Sequence, residues 1–152
     1  MTTNINISFT GEFRNNIDQK NRLSIPVKYR RALLPENNCT FVLTRGFDQC
    51  LVLYPLNEWK KVEIQLADLS SIKSKHRKFL RTVVRYATHV QYDSQGRIQV
   101  LDNLLEYADI TKNVSLIGMI KKIEIWNPNI LENYDSDFTK NDFEDLSNEI
   151  KF

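Results

Sequence analysis

Two pairs of charged residues at the same spacing carry the clearest chemistry in the chain: Asp18 with Arg22, and Asp93 with Arg97. An Asp at the start of a tight turn accepts backbone N–H groups two or three residues on, which fixes the turn. Four residues later the Arg opens the returning strand. Its guanidinium can pair with that Asp, or reach outward to a phosphate or a guanine edge. The residue before each Arg needs a left-handed conformation, which Gly96 adopts without steric cost and Asn21 tolerates next best. The motif alone therefore leaves two readings open: a clasp that pins a hairpin, or an arginine aimed at an anion.

The surrounding bases favour the second reading. Residues 11–31 hold Arg14, Lys20, Arg22, Lys28, Arg30 and Arg31 against only Glu12 and Asp18. Bases gathered at a hairpin and the start of a helix can meet phosphates. The second half lacks the cluster, because Leu105 stands eight residues after Arg97 where the first half has Arg30. The expectation is that the first half makes most of any DNA contact. Charge is also separated along the chain. Residues 131–152 carry a net −5, so that residues 1–130 carry +7 of the overall +2. A basic body with an acidic tail suits a polyanionic partner.

These charged pairs belong to a longer repeat. Ile17-Asp18-Gln19-Lys20-Asn21-Arg22-Leu23 returns as Tyr92-Asp93-Ser94-Gln95-Gly96-Arg97-Ile98, and Leu51-Val52-Leu53-Tyr54 returns as Ile123-Glu124-Ile125-Trp126. A repeated unit of this size implies a pseudo-symmetric chain, the usual geometry for reading duplex DNA. Alternating apolar residues predict strands at 11–17 and 22–25 joined by the turn 18–21, then a short helix 27–34 behind Pro26. Strands at 40–44 and 50–54 follow, joined by a hairpin connection at 45–49. Asn57 is expected to cap a helix reaching Leu69, with Trp59, Val62, Leu66 and Leu69 inward. A second helix ends near Tyr86, with Phe79, Leu80, Val83, Val84 and Tyr86 as its buried side. The scheme then repeats: strand 88–92, turn 93–96, strand 97–101, helix 102–108, and strands 113–118 and 122–126. The expected organisation is a first half at 9–56, connecting helices at 57–86, a second half at 87–130 and an acidic tail at 131–152.

Other function classes find little support. Gly11, Gly46, Gly96 and Gly118 stand alone, so there is no phosphate-cradling loop, and no nucleophile elbow or metal-ligand spacing surrounds His76 or His89. His76 reads as a surface residue, and Cys39 and Cys50 as small buried hydrophobes. No cofactor, metal or small-molecule substrate is expected, and catalysis is not. No apolar run approaches a membrane span and the N-terminus is polar, which places the protein in the cytoplasm.

At these residues the chain resembles the MraZ family of bacterial transcriptional regulators. The matching pieces are Gly11-Glu12-Phe13, Asp18 to Pro26, Lys28-Tyr29-Arg30, Leu43-Thr44-Arg45-Gly46 and Cys50 to Pro55 with Trp59. The second half adds Asp93/Arg97, Leu105-Glu106-Tyr107-Ala108 and Ile123-Glu124-Ile125-Trp126. The resemblance implies an α+β fold of two pseudo-symmetric swapped-hairpin β-barrel halves of the AbrB/SpoVT type, with short helices and an intervening helical pair. It also implies a homo-oligomeric ring, an octamer or larger, that represses the division and cell-wall gene cluster from repeated elements of its promoter. Such a protein is nucleoid-associated, and double-stranded promoter DNA is its partner. Matched by position, the DNA surface falls on Arg22, Arg30 and Arg31. Asn21 stands where the family has Gly, and Leu101 and Leu105 replace a Pro and a base, which weakens the case for the second half. Two competitors are an AbrB-like antitoxin with an extended tail and an assembly module whose basic helix meets the acidic tail of a neighbour.

Overall fold

The computed structural model describes residues 8–151; the polar N-terminal residues 1–7 and Phe152 at the end of the acidic tail lie outside that range. Each half runs strand, strand, short helix, strand, strand, helix pair. The first half comprises β1 (Glu12–Asn16), β2 (Arg22–Ser24), α1 (Val27–Ala32), a 3-10 turn at Pro35–Asn37, β3 (Thr40–Arg45), β4 (Leu51–Pro55), α2 (Leu56–Ala67) and α3 (Ser74–Val84). The second comprises β5 (Thr88–Gln91), β6 (Arg97–Gln99), α4 (Asp102–Tyr107), β7 (Asn113–Gly118), β8 (Ile123–Trp126), α5 (Pro128–Asp135) and α6 (Lys140–Ile150). The acidic tail is thus a helix pair in the same chain position as α2 and α3.

The two strands flanking each Asp–Arg turn do not pair with each other, contrary to the local hairpin expected from sequence. β1 pairs antiparallel with β7, β5 with β3, and β2 with β6, so each half supplies a strand to the other. Just beyond the first turn the Ile17 N–H donates to the Lys112 carbonyl and the Ile25 N–H to the Gly96 carbonyl, so backbone donors on both flanking strands are spent on the opposite half. A six-stranded sheet results, in the order β1-β7-β8-β4-β3-β5, beside the two-stranded ribbon β2-β6. The large sheet does not close into a barrel, because β1 and β5 end it with one partner each and β2 and β6 stand apart. Its order is palindromic under exchange of the halves. Leu23 faces Ile98 and Val52 faces Glu124, each residue opposite its own counterpart in the repeat. A pseudo-twofold axis passes between both pairs.

One apolar core joins the halves. Leu23, Ile25, Phe41 and Leu43 of the first pack with Ile98, Val100, Leu104 and Leu116 of the second, all essentially out of solvent. Each such side chain contributes about 1.5–3 kcal/mol on burial. Tyr29 on α1 sits fully buried between Phe9 and Phe13 in edge-on contacts of 5.8 and 5.1 Å, and its hydroxyl donates to the Gly11 carbonyl at 2.6 Å.

Three local expectations are corrected. Asn57 does not cap α2: β4 runs straight into the helix at Leu56, and the Asn57 N–H donates to Asn37 Oδ1 at 2.7 Å. The apolar side of α3 is not buried, since Phe79 and Val84 are exposed and no residue of the helix is buried. In the break before α3 the Ser70 N–H donates to His76 Nδ1 at 3.0 Å, and an open groove is left between α3 and the sheet face. Cys50 is buried but Cys39 only partly so; both thiols are free. Among the described residues no helix is long and apolar enough to cross a membrane, and no group of three metal-ligating side chains converges.

Candidate nucleic-acid interface

The two Asp–Arg turns have the same geometry. Asp18 Oδ1 accepts the N–H groups of Lys20 at 2.9 Å and Arg22 at 2.8 Å, while Asp18 Oδ2 accepts Arg22 Nε at 2.8 Å. Asp93 repeats this with Gln95 at 2.9 Å and Arg97 at 3.0 Å, and takes Arg97 Nε at 3.0 Å. Asn21 and Gly96 are both left-handed, with φ of 57° and 78°. The backbone N–H of each Arg, more than its guanidinium, holds the Asp carboxyl below the ordinary carboxylate range. The clasp engages Arg22 through Nε, and among the described residues its terminal nitrogens have no hydrogen-bond partner.

Strand exchange brings the turns together. The Ile25 N–H donates to the Gly96 carbonyl and the Val100 N–H to the Asn21 carbonyl, both at 2.8 Å. Gln99 Nε2 adds a bond to the Lys20 carbonyl at 2.7 Å. Side chains alternate across the ribbon. Leu23 and Ile98 are buried beneath it, while Arg22, Ser24, Arg97 and Gln99 lie on the other face, with Arg22 opposite Gln99 and Arg97 opposite Ser24. The result is a two-stranded antiparallel ribbon with one arginine on either side of a pseudo-twofold axis.

The six bases predicted from sequence are not one cluster in space. Arg30 crosses to the second turn: its Nε donates to the Ile25 carbonyl at 3.0 Å, and its guanidinium lies where a Cβ on Gly96 would stand, 2.6 Å from Arg30 Cζ. The absence of a side chain at Gly96 is what admits it. At the first turn the counterpart contact is acidic, with Asn21 Nδ2 donating to Asp102 Oδ1 at 2.6 Å. Lys20 and Arg31 are exposed. Lys28 Nζ bends back to Thr10 Oγ1 at 3.2 Å. Arg14 stands apart, on the edge strand β1, opposite Ser115 and beside Asn113 and Asn127. Its guanidinium lies 3.8 Å from the Glu12 carboxylate.

Sequence reasoning overlooked Gln99, which ties the two turns, and Arg45, whose guanidinium is sandwiched 3.5 Å from the Tyr86 ring centre and 4.4 Å from that of Tyr107. Gln99 sits where the first half has Ser24, so the repeat itself hides it. Arg45 falls within the Leu-Thr-Arg-Gly stretch, but its aromatic partners are remote in sequence.

A family model described as "MraZ protein, putative antitoxin-like" matches twice, over residues 8–82 and 83–151. The transcriptional regulator MraZ of Natranaerobius thermophilus is 39% identical over 142 residues, which cover 93% of this chain and 96% of that protein. The protein of the same name from Halothermothrix orenii is 42% identical over 119 residues, covering 78% of this chain and 80% of its own length. Both relatives are named as regulators of transcription, not as enzymes.

Proposed function

The chain belongs to the MraZ family, a transcriptional regulator by the name its relatives bear, and from that premise we propose that it regulates transcription by binding promoter DNA through the ribbon β2-β6. The observation that carries the proposal is the placement of Arg22 and Arg97 on the outer face of that ribbon, one on either side of the pseudo-twofold axis, with Arg30 reaching over Gly96. The major groove admits a two-stranded ribbon of this kind, and an arginine can contact guanine bidentately there. Lys20 and Arg31 supply phosphate contacts that position the ribbon without reading sequence. Asp18 and Asp93 hold each turn and orient each guanidinium. Because Arg30 sits on the second turn, the second half takes part through a residue of the first.

The swapped-hairpin architecture proposed for the halves draws support from the crossed pairings β1-β7 and β5-β3. The remaining parts of the reading rest on the family likeness: a ring of subunits, repression, the division and cell-wall cluster as target, and a place in the cytoplasm at the nucleoid. In a ring each subunit needs only a few phosphate contacts, since linked sites multiply modest affinities into strong avidity.

The test is fluorescence anisotropy on the protein's own upstream promoter duplex and a scrambled duplex across a salt series. Specific binding with a log–log slope steeper than about −3, at roughly −0.9 per phosphate neutralised, and lost in Arg22→Ala and Arg30→Ala, supports the proposal. Equal weak binding to both duplexes refutes it.

A further inference from the structure

The short helices α1 and α4 are counterparts in the repeat, yet they carry opposite charge. α1 reads Val27-Lys28-Tyr29-Arg30-Arg31-Ala32, with three cations and no acid. α4 reads Asp102-Asn103-Leu104-Leu105-Glu106-Tyr107, with two acids and no cation. Glu106 stands where α1 has Arg31, and Asp102 where α1 has Val27; all four side chains are exposed. The core does not dictate charge at exposed positions, so the contrast bears on what the two helices meet from outside.

Strand exchange lays each helix against the turn of the other half. Arg30 of α1 meets the second turn over Gly96, and Asp102 of α4 meets the first through the Asn21 amide at 2.6 Å. The two ends of the ribbon β2-β6 therefore differ although their Asp–Arg clasps match. At the second turn Arg30 joins Arg97, and the one acid there, Asp93, is spent on its own clasp. At the first turn Asp18 is spent in the same way, but Asp102 adds a second carboxylate. Among the described residues Asp102 forms no ion pair, and a neutral amide is its recorded partner. A phosphate arriving within about 10 Å, the Debye length near 0.1 M salt, meets that charge unneutralised. Like charges set face to face across an interface suppress the contact.

We infer that Asp102 sets the direction in which the ribbon lies on DNA: held by Asn21 beside the first turn, its charge keeps the phosphate backbone off α4. The backbone instead follows α1 past the second turn, where Arg30 and Arg31 take it. Lys20 still reaches phosphates at the tip of the first turn, but the contact stops short there. An element is thus read one way round by a surface whose two halves otherwise look alike. The inference rests on the ribbon reading of the proposed function and deepens it.

Asp102→Asn is the test, because its amide oxygen still accepts from Asn21 Nδ2 while the charge is gone. In the full chain it should tighten binding to the promoter duplex about 3- to 10-fold at roughly 50 mM salt, a gain that screening removes at higher salt. Asp102→Lys should go further and steepen the log–log salt slope by roughly 0.9 for each phosphate contact it adds. Glu63→Gln makes the same charge change on α2, which packs on β3 and β4, and should leave affinity unaltered. Phosphate-ethylation interference reads the direction: with the native chain the blocked phosphates extend further to one side of each element, and Asp102→Lys lengthens the short side. Circular dichroism and melting verify the fold, and Glu106→Gln replaces Asp102→Asn if that variant unfolds. Affinity that is unchanged or weakened by loss of the charge, an equal gain in Glu63→Gln, or a pattern even on both sides overturns the inference. If binding then still depends on Arg22 and Arg30, the ribbon reading stands without it. A native chain that binds promoter and scrambled duplex alike refutes both.

Discussion

Gly96→Ala tests the crossed geometry at its tightest point. Gly96 has φ 78°, and a Cβ there would stand 2.6 Å from Arg30 Nε and Cζ. An alanine held in the left-handed region costs about 1–2 kcal/mol. The guanidinium can swing away, but only by giving up its 3.0 Å bond to the Ile25 carbonyl; at this partly exposed position that bond contributes about 1 kcal/mol. The expected destabilisation is therefore about 2–3 kcal/mol, a fall in Tm of roughly 4–12 °C for a chain of this length. Urea denaturation should be run at one fixed protein concentration, since self-association of the kind proposed would make stability concentration-dependent. The informative comparison is a double-mutant cycle with Arg30→Ala. In that background Gly96→Ala should cost only the backbone strain, giving a coupling of about 1 kcal/mol. Additive effects, within about 0.5 kcal/mol, would mean that Arg30 does not rest on the second turn, and the composite DNA surface would lose its basis. If the ribbon binds DNA as proposed, Gly96→Ala also weakens that binding, through a base that the chain places 66 residues earlier.

The remaining expectations are simpler to measure. Asp18 and Asp93 titrate lower in the folded chain than when unfolded, so their stabilisation is present above the ordinary carboxylate range and fades as pH falls below about 4; melts across an acid series should show this, and Asp18→Asn with Asp93→Asn should flatten it. Tyr29→Phe leaves the Gly11 carbonyl without its 2.6 Å donor and should cost about 1–3 kcal/mol by chemical denaturation; a change below the error of that measurement would mean water replaces the hydroxyl. Burial pushes the Cys50 thiol up to about 12, so a thiol-disulfide reagent near pH 8 should leave Cys50 untouched until the chain unfolds, as mass mapping of the labelled peptide would read.

The repeat made much of this fold legible. Asp18 and Asp93 announce their turns because few residues can accept several backbone N–H groups at once, and Asn21 and Gly96 announce the left-handed residue that the turn requires. The strands likewise follow from their alternation. Pairing was less readable from local pattern, because alternation fixes which face of a strand is buried but not which strand lies beside it. Nothing in residues 11–25 states that β1 will pair with β7 rather than β2. The same exchange scattered the base cluster: Arg22 and Arg30 are neighbours in sequence, yet one marks the first turn and the other the second. The exposed apolar face of α3 was misread for a related reason, since helical periodicity marks an apolar stripe without saying whether the chain itself covers it.

The exchanged strands also impose a timetable on synthesis. The Ser115 hydroxyl donates to the Glu12 carboxylate across 103 residues, and all of β1 must find partners at that remove. At about 5–20 residues per second of translation, β1 leaves the ribosome roughly 5–20 s before β7 exists. Its sequence suits the delay. Glu12, Arg14, Asn15 and Asn16 leave Phe13 as the only apolar residue of the strand, a poor template for aggregation. β5 faces no such wait, because β3 is already made when it emerges. A chain interrupted between the halves would keep β3 and β4 with neither β5 nor β8 beside them, leaving bare two strand edges that the finished protein pairs. Each half alone lacks strand partners that the other supplies, and the last of these pairings, with β8, can form only after both halves have been made.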